Sequence, residues 1–130
     1  MTRLVVDASA YFPIAVLGYV PQQLVGFELV APHLLWSETL SALREAAWRG
    51  VLGEDQAASA VSRLHGLGVL PIDDDRLPQA AFSIARELGW AKTYDAEYVA
   101  LARLLDAPLF TRDGRLRRGA GKICSFFDPR

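Results

Sequence analysis

The sequence predicts an α/β fold, a three-layer α/β/α sandwich around a central, mainly parallel sheet. Three observations predict it. Short apolar runs alternate along the chain with longer segments of helical periodicity, the order that builds parallel strands joined by crossover helices. One helical segment, residues 94–105, is apolar on most sides and therefore belongs at the centre. The chain has 130 residues, 52% of them hydrophobic, which suffices for one core without disulfides or a structural metal. Residues 1–130 are expected to form a single domain.

The elements follow in order. Residues 3–7 read as a short buried strand that ends in an acid, and Ser9 is placed to cap a helix over residues 10–17. Residues 18–26 form a turn-rich connection or a second short helix. A helix is expected over residues 34–49, with Leu40, Leu43 and Ala47 on one face and Glu38, Ser41, Glu45 and Arg49 on another; Gly50 and Gly53 close it. No element is read over residues 27–33. Ala57, Ala58, Val61 and Leu64 make a further apolar stripe, and residues 69–72 a short strand. Leu77, Ala80, Ala81, Ile84 and Leu88 mark a third helix. Thr93 begins a fourth, over residues 94–105. Leu109 and Phe110 form a strand, residues 115–121 a weak helix and residues 123–127 a last strand. Neither a repeat nor a low-complexity linker interrupts the chain.

Composition removes several classes of function. Charged residues are 22% of the chain and nearly balanced, at a net charge of -1, which excludes disorder and a globally basic nucleic-acid coat. Cys124 is the only cysteine, so an intrachain disulfide and a cysteine-based zinc site are excluded. No secretory signal is visible and no apolar run reaches membrane-spanning length. A cytoplasmic protein is expected.

Four acids share an address. In open α/β sheets ligands sit outside the carboxyl ends of strands. Asp7 ends the first strand and Asp113 follows the strand at Leu109 and Phe110. Glu38 lies in the first turns of one helix and Asp95 in the first turn of another, where the helix dipole favours a carboxylate. Two ionised carboxylates about 4 Å apart repel by about 4 kcal/mol at an effective dielectric near 20, so four can share a pocket only with a cation present or with some protonated. Neither histidine nor cysteine accompanies them. An all-oxygen set selects Mg²⁺ or Mn²⁺ over Zn²⁺.

The stretches "LVVDAS", "SETLSAL" from Ser37 and "TYDAEYVALARLLDAPLFTRDGRL" from Thr93, with their spacing, resemble the PIN-domain ribonucleases, in particular the VapC-type toxins of bacterial toxin–antitoxin pairs. The last stretch carries most of the specificity: a Tyr-Asp-Ala-x-Tyr helix start, then a strand, then Thr-x-Asp. The resemblance implies a metal-dependent endoribonuclease of PIN fold whose acid quartet is Asp7, Glu38, Asp95 and Asp113. Ser9 and Thr111 then match hydroxyls that orient the acids or the attacking water. The chemistry allowed is phosphodiester hydrolysis by a water that the ion activates, leaving a 5′-phosphate. Some members carry a fifth acid after the last aspartate, and here those places are Gly114, Arg115 and Leu116, which leaves one or two ions open. A small antitoxin partner is implied, and so is a homodimer, which apolar surface around Tyr11, Phe12, Leu34, Leu35 and Trp36 also favours.

Each acid has a plainer reading. Asp7 and Asp113 could be helix or turn caps, Glu38 part of a solvated face and Asp95 a helix-dipole acid. Asp73, Asp74 and Asp75 are read as solvated caps. Glu97 is read as turned away from Asp95 by helix geometry. His33 and His65 are turn or surface residues with nothing paired to either, and Trp36, Trp48 and Trp90 are core or interface. From Arg112 on, six basic residues face two acidic ones, and Arg115, Arg117 and Arg118 read either as a solvated face or as a track for RNA phosphates. The alternatives to a toxin are a PIN-fold nuclease of RNA maturation or DNA processing, a dead binding module of the same fold, and a Mg²⁺-binding receiver-like domain. The last would want a lysine where this chain has Arg112.

Overall fold

The computed structural model describes residues 1–129; Arg130, one of the six basic residues of the C-terminal segment, lies outside them. Four strands form one parallel sheet in the order β3-β2-β1-β4, with β1 Thr2–Val6, β2 Phe27–Ala31, β3 Leu70–Pro71 and β4 Leu109–Phe110. Helix α1 (Ala8–Leu17) joins β1 to β2, and α2 (Leu34–Trp48) with α3 (Glu54–Ser62) joins β2 to β3. Helices α4 (Leu77–Leu88) and α5 (Tyr94–Leu105) lead to β4, and α6 (Gly114–Ala120) follows.

The topology fixes the layers. Two crossovers step outward from β1 to β3, and the third returns past β1 to β4. Because parallel crossovers are right-handed, the reversal puts α1, α2 and α3 on one face and α4 and α5 on the other. The packing agrees: α1, α2 and α3 contact one another, α4 lies along α5, and α5 lies against β1 and β4. The α/β/α sandwich expected from the sequence is the one observed. The strand order switches direction between β1 and β4, which is where such sheets open a crevice at their carboxyl ends. There Val5 pairs with Leu109 and Val6 with Phe110, so Asp7 and Thr111 emerge side by side.

Burial explains these elements. Leu4, Val5 and Val6 are wholly buried, as a strand covered on both faces requires. Helix α5 buries Ala96, Tyr98, Val99, Ala100, Leu101 and Ala102, which accounts for its nearly continuous apolar sequence.

Four expectations need correction. The strand β2 falls where no element was read; it is a five-residue run between Gly26 and Pro32, too short for periodicity to declare. The expected last strand shrinks to a single parallel bridge, Leu109 to Phe126, because β4 offers only two residues to pair with. In α2 the buried stripe is Leu35, Thr39, Leu43 and Ala47, and Leu40 faces solvent. The apolar surface invoked for a dimer is smaller than expected: Tyr11 and Leu35 are wholly buried, and Phe12, Leu34 and Trp36 are partly buried against the core. No helix among the described residues is long and apolar enough to cross a membrane.

Candidate active site

Asp7, not Ser9, caps α1. Its extended backbone turns the carboxylate back over the helix start, where Oδ1 accepts from the Ala10 N–H at 3.0 Å. Ser9 serves the same carboxylate differently, donating from Oγ to Asp7 Oδ1 at 2.7 Å. Thr111, arriving from β4, donates to Asp7 Oδ2. The two hydroxyls lie 3.2 Å apart, and each accepts a backbone N–H, Ser9 from Arg112 at 2.8 Å and Thr111 from Asp113 at 3.0 Å. Thus the hydroxyls do hold an acid, and they also tie the loop after β4 to the start of α1. Asp7 is 4% exposed. Burial raises its pKa, against the lowering effect of Thr111, Ser9 and the Ala10 N–H.

The other three acids come from three helices. Tyr98 on α5 donates its hydroxyl to Glu38 Oε1 on α2 at 2.6 Å. Burial raises the Glu38 pKa, Tyr98 restrains it, and the charges of Asp95, Asp7 and Glu97 raise it further. Asp95 is raised by burial and then by the charge of Asp113, while Arg115 lowers it. Asp113 caps α6, its Oδ1 accepting from the N–H groups of Arg115 at 3.0 Å and Leu116 at 3.3 Å. Asp95 is therefore the hub, since it couples electrostatically to Asp7, Glu38 and Asp113 alike.

These side chains converge without closing. Among the described residues no three His, Cys, Asp or Glu side chains are gathered tightly enough to enclose an ion. Repulsion of about 4 kcal/mol per pair at 4 Å opposes closure while the charge is uncompensated. The donor set nevertheless fits a hard divalent cation. Glu38 Oε2, Asp113 Oδ2 and both oxygens of Asp95 accept no hydrogen bond from the described residues. Among the described residues, Arg115 is the cation whose charge lowers the pKa of Asp95.

The remaining expectations divide. Glu97 is half-buried and lines a separate hollow with Leu77, Pro78, Ala81, Phe82 and Thr93, away from the one that holds Asp95. Of the three arginines only Arg115 stands at the acids. Arg117 binds Asp128 through both guanidinium nitrogens and covers the Phe126 ring, clamping the C-terminal segment to α6. Arg118 lies back over Gly114, where an added Cβ would meet its Nη1 at 3.0 Å. Lys92, outside the expected set, joins Arg115 at a hollow of about 460 Å³ lined also by Glu38, Trp90, Tyr94 and Asp95. His33 does have a partner, Asp73 Oδ1 at 2.9 Å. Asp74 is held down to about 2 by hydrogen bonds from Arg76, which confirms a local role. Trp36 packs edge-on to Tyr11 and against His65, Trp48 is exposed, and Trp90 is half-buried beside the acids. Tyr98 was missed by sequence reasoning; its spacing of three from Asp95, on one helix face, was the available signal.

Comparison with known proteins agrees with this arrangement. The PIN domain family model matches residues 13–122, which takes in Glu38, Asp95, Thr111 and Asp113 and begins after Asp7 and Ser9. Ribonuclease VapC1 of Mycobacterium tuberculosis is 40% identical over 99 residues, covering 72% of this chain and 69% of that protein. Ribonuclease VapC9 of the same organism is 37% identical over 114 residues, 87% of each chain. Among solved structures, PAE2754 from Pyrobaculum aerophilum superposes with a TM-score of 0.71 at 25% identity, over 96% of this chain and 83% of that one. A parallel sheet with this switch point, acids from β1, α2, α5 and the end of β4, and relatives of this similarity assign the chain to the PIN-domain family, among the VapC ribonucleases.

Proposed function

We propose that residues 1–130 form a single-domain, Mg²⁺- or Mn²⁺-dependent endoribonuclease, the cytoplasmic toxin of a toxin–antitoxin pair. The observation that carries the reading is that Glu38 and Asp95, from two different helices, line one hollow together with Lys92 and Arg115. Asp7, Glu38, Asp95 and Asp113 would hold the ion, which supplies Lewis acidity toward the scissile phosphate and neutralises the crowded charge.

The protein's own groups do the rest. Ser9 and Thr111 orient Asp7, because both donate to its carboxyl oxygens, and they oppose the burial that raises its pKa. Tyr98 fixes one oxygen of Glu38 and leaves Oε2 open. Glu38 Oε2, which accepts no hydrogen bond from the described residues, is free to take a proton from the attacking water. The water oxygen bonds to phosphorus, the bond to the 3′-oxygen breaks, and that oxygen leaves with a proton taken from solvent, while Glu38 returns its own proton to solvent. Arg115 and Lys92 offset the repulsion between a polyanion and an acidic pocket.

Association belongs to the same proposal. Trp48 and Val51, 73% and 78% exposed, offer apolar surface at or beside a shallow hollow lined by Phe12, Ala42, Ala46 and the ion pair of Glu45 and Arg49, suited to a small antitoxin or a second copy in a homodimer. Cleavage of single-stranded RNA with Mg²⁺ or Mn²⁺, silent in EDTA and in Asp95→Asn, tests the activity. Full activity in excess EDTA overturns it. Light scattering that gives a monomer at all micromolar concentrations removes the dimer.

A further inference from the structure

Tyr94 is the first residue of α5, next to Asp95, and its side chain is out of place by composition: a large aromatic 53% exposed on the rim of an acidic pocket. It lines two hollows. The larger, about 460 Å³, has apolar walls in Trp90 and Leu116, cations in Lys92 and Arg115, and the carboxylates of Glu38 and Asp95. The smaller, about 270 Å³, has an apolar wall in Leu34 and hydroxyls in Ser37 and Ser41. Two residues line both hollows, Tyr94 and Glu38. Tyr94 and Glu38 therefore stand at the boundary of the two hollows, and a strand that passes from one to the other crosses a candidate catalytic carboxylate.

The larger hollow is built rather than incidental. Gly89 ends α4 at φ 72°, a left-handed conformation that turns the chain sharply and presents Trp90. Trp90 is seated on Gly119 of α6, where a Cβ would come within 3.1 Å of its Cζ2.

We propose that Tyr94 is a stacking wedge that seats two successive unpaired bases of the RNA, one in each hollow, so that the linkage between them lies over the carboxylates. The inference rests on the reading of the site as a ribonuclease and adds to it a substrate-positioning residue and a reason for strand selectivity. Bases splayed about an aromatic ring are a common way of binding single-stranded RNA, and each stacked base contributes through its π-face whatever its identity. A duplex has no such freedom, because its bases are stacked on one another. Lys92 and Arg115 then contact the phosphate on the side of the larger hollow, and the hydroxyls of Ser37 and Ser41 meet base edges on the other.

The test uses the intact protein with Mn²⁺ and a single-stranded RNA whose cleavage position has been mapped. Two further RNAs carry an abasic nucleotide on one side or the other of that position, and kcat/KM is measured for the parent, Tyr94→Ala and Tyr94→Phe. Tyr94→Ala is expected to lose about 10- to 100-fold, and Tyr94→Phe, which keeps the ring, to stay near the parent. Each abasic RNA should slow the parent by more than it slows Tyr94→Ala, because in the variant the stacking contact is already gone. Equal activity of Tyr94→Ala and parent overturns the wedge, and so does an abasic penalty that is the same in both. The abasic arm on the parent needs no variant to fold, and no loss there also overturns it. A parent that cleaves no RNA removes the nuclease reading itself, and the wedge with it.

Discussion

The Tyr98 hydroxyl donates to Glu38 Oε1 at 2.6 Å, across the interface of α5 and α2, from a side chain that is 1% exposed. Burial and the adjacent Glu38 charge hold the tyrosine far above its ordinary pKa, so it is a donor at every working pH. Glu38 is raised by burial and by three acidic neighbours, and Tyr98 is the one interaction that lowers it.

Tyr98→Phe should therefore raise the Glu38 pKa further. The acid limb of the profile of kcat/KM against pH is expected to move to higher pH, with activity at alkaline pH less affected than at neutral pH. A pH–rate profile for parent and variant checks this. An unmoved limb would mean that Glu38 does not set it.

The acids also shape stability. Asp7, Glu38 and Asp95 hold protons more readily in the fold than in the unfolded chain. The folded state thus binds more protons in the window above the ordinary carboxylate range, and stability falls as pH rises through the raised values. Asp74, held down to about 2, acts in the opposite sense but only below the ordinary carboxylate range, outside that window. In chelator, the melting temperature at about pH 5 should exceed that at about pH 7.5. Calorimetry at the two values, repeated with Mn²⁺, should find the gap narrowed by the ion.

Much of this was legible in the sequence, for identifiable reasons. Helices α4 and α5 have long periodic patterns and were placed correctly, and the strand-end positions of Asp7 and Asp113 were legible because a parallel sheet gives strand ends a shared edge. What escaped was tertiary. The strand β2 is defined by its neighbours β1 and β3 and not by its own five residues. The pairing of Tyr98 with Glu38 spans 60 positions. The C-terminal arginines look alike in sequence, and only the folded path of the chain sends Arg117 to Asp128 and Arg115 to Asp95.

That separation yields a test of the basic segment. Replacing Arg115 by alanine should weaken RNA binding across sequences and flatten the salt dependence by roughly 0.7 in log–log slope for one single-strand contact. Arg117→Ala should leave the slope alone and instead loosen the C-terminal segment, lowering the melting temperature. Equal slopes for the two variants would return Arg117 to the phosphate track.

Asp113 separates an ion-binding acid from a helix cap, because it is placed to be both. Its Oδ1 caps α6, and its charge raises the pKa of Asp95. Asp113→Asn keeps the cap, since asparagine caps as well as aspartate, and removes the charge. If repulsion strains the metal-free site, the variant should melt higher than the parent in chelator. Mn²⁺ should raise the melting temperature of the parent by mass action and that of the variant much less, because one ligand has lost its charge. A residue that only caps predicts equal responses to the ion. Four melts, each protein with and without Mn²⁺, decide the matter, and equal shifts would reduce Asp113 to the start of α6.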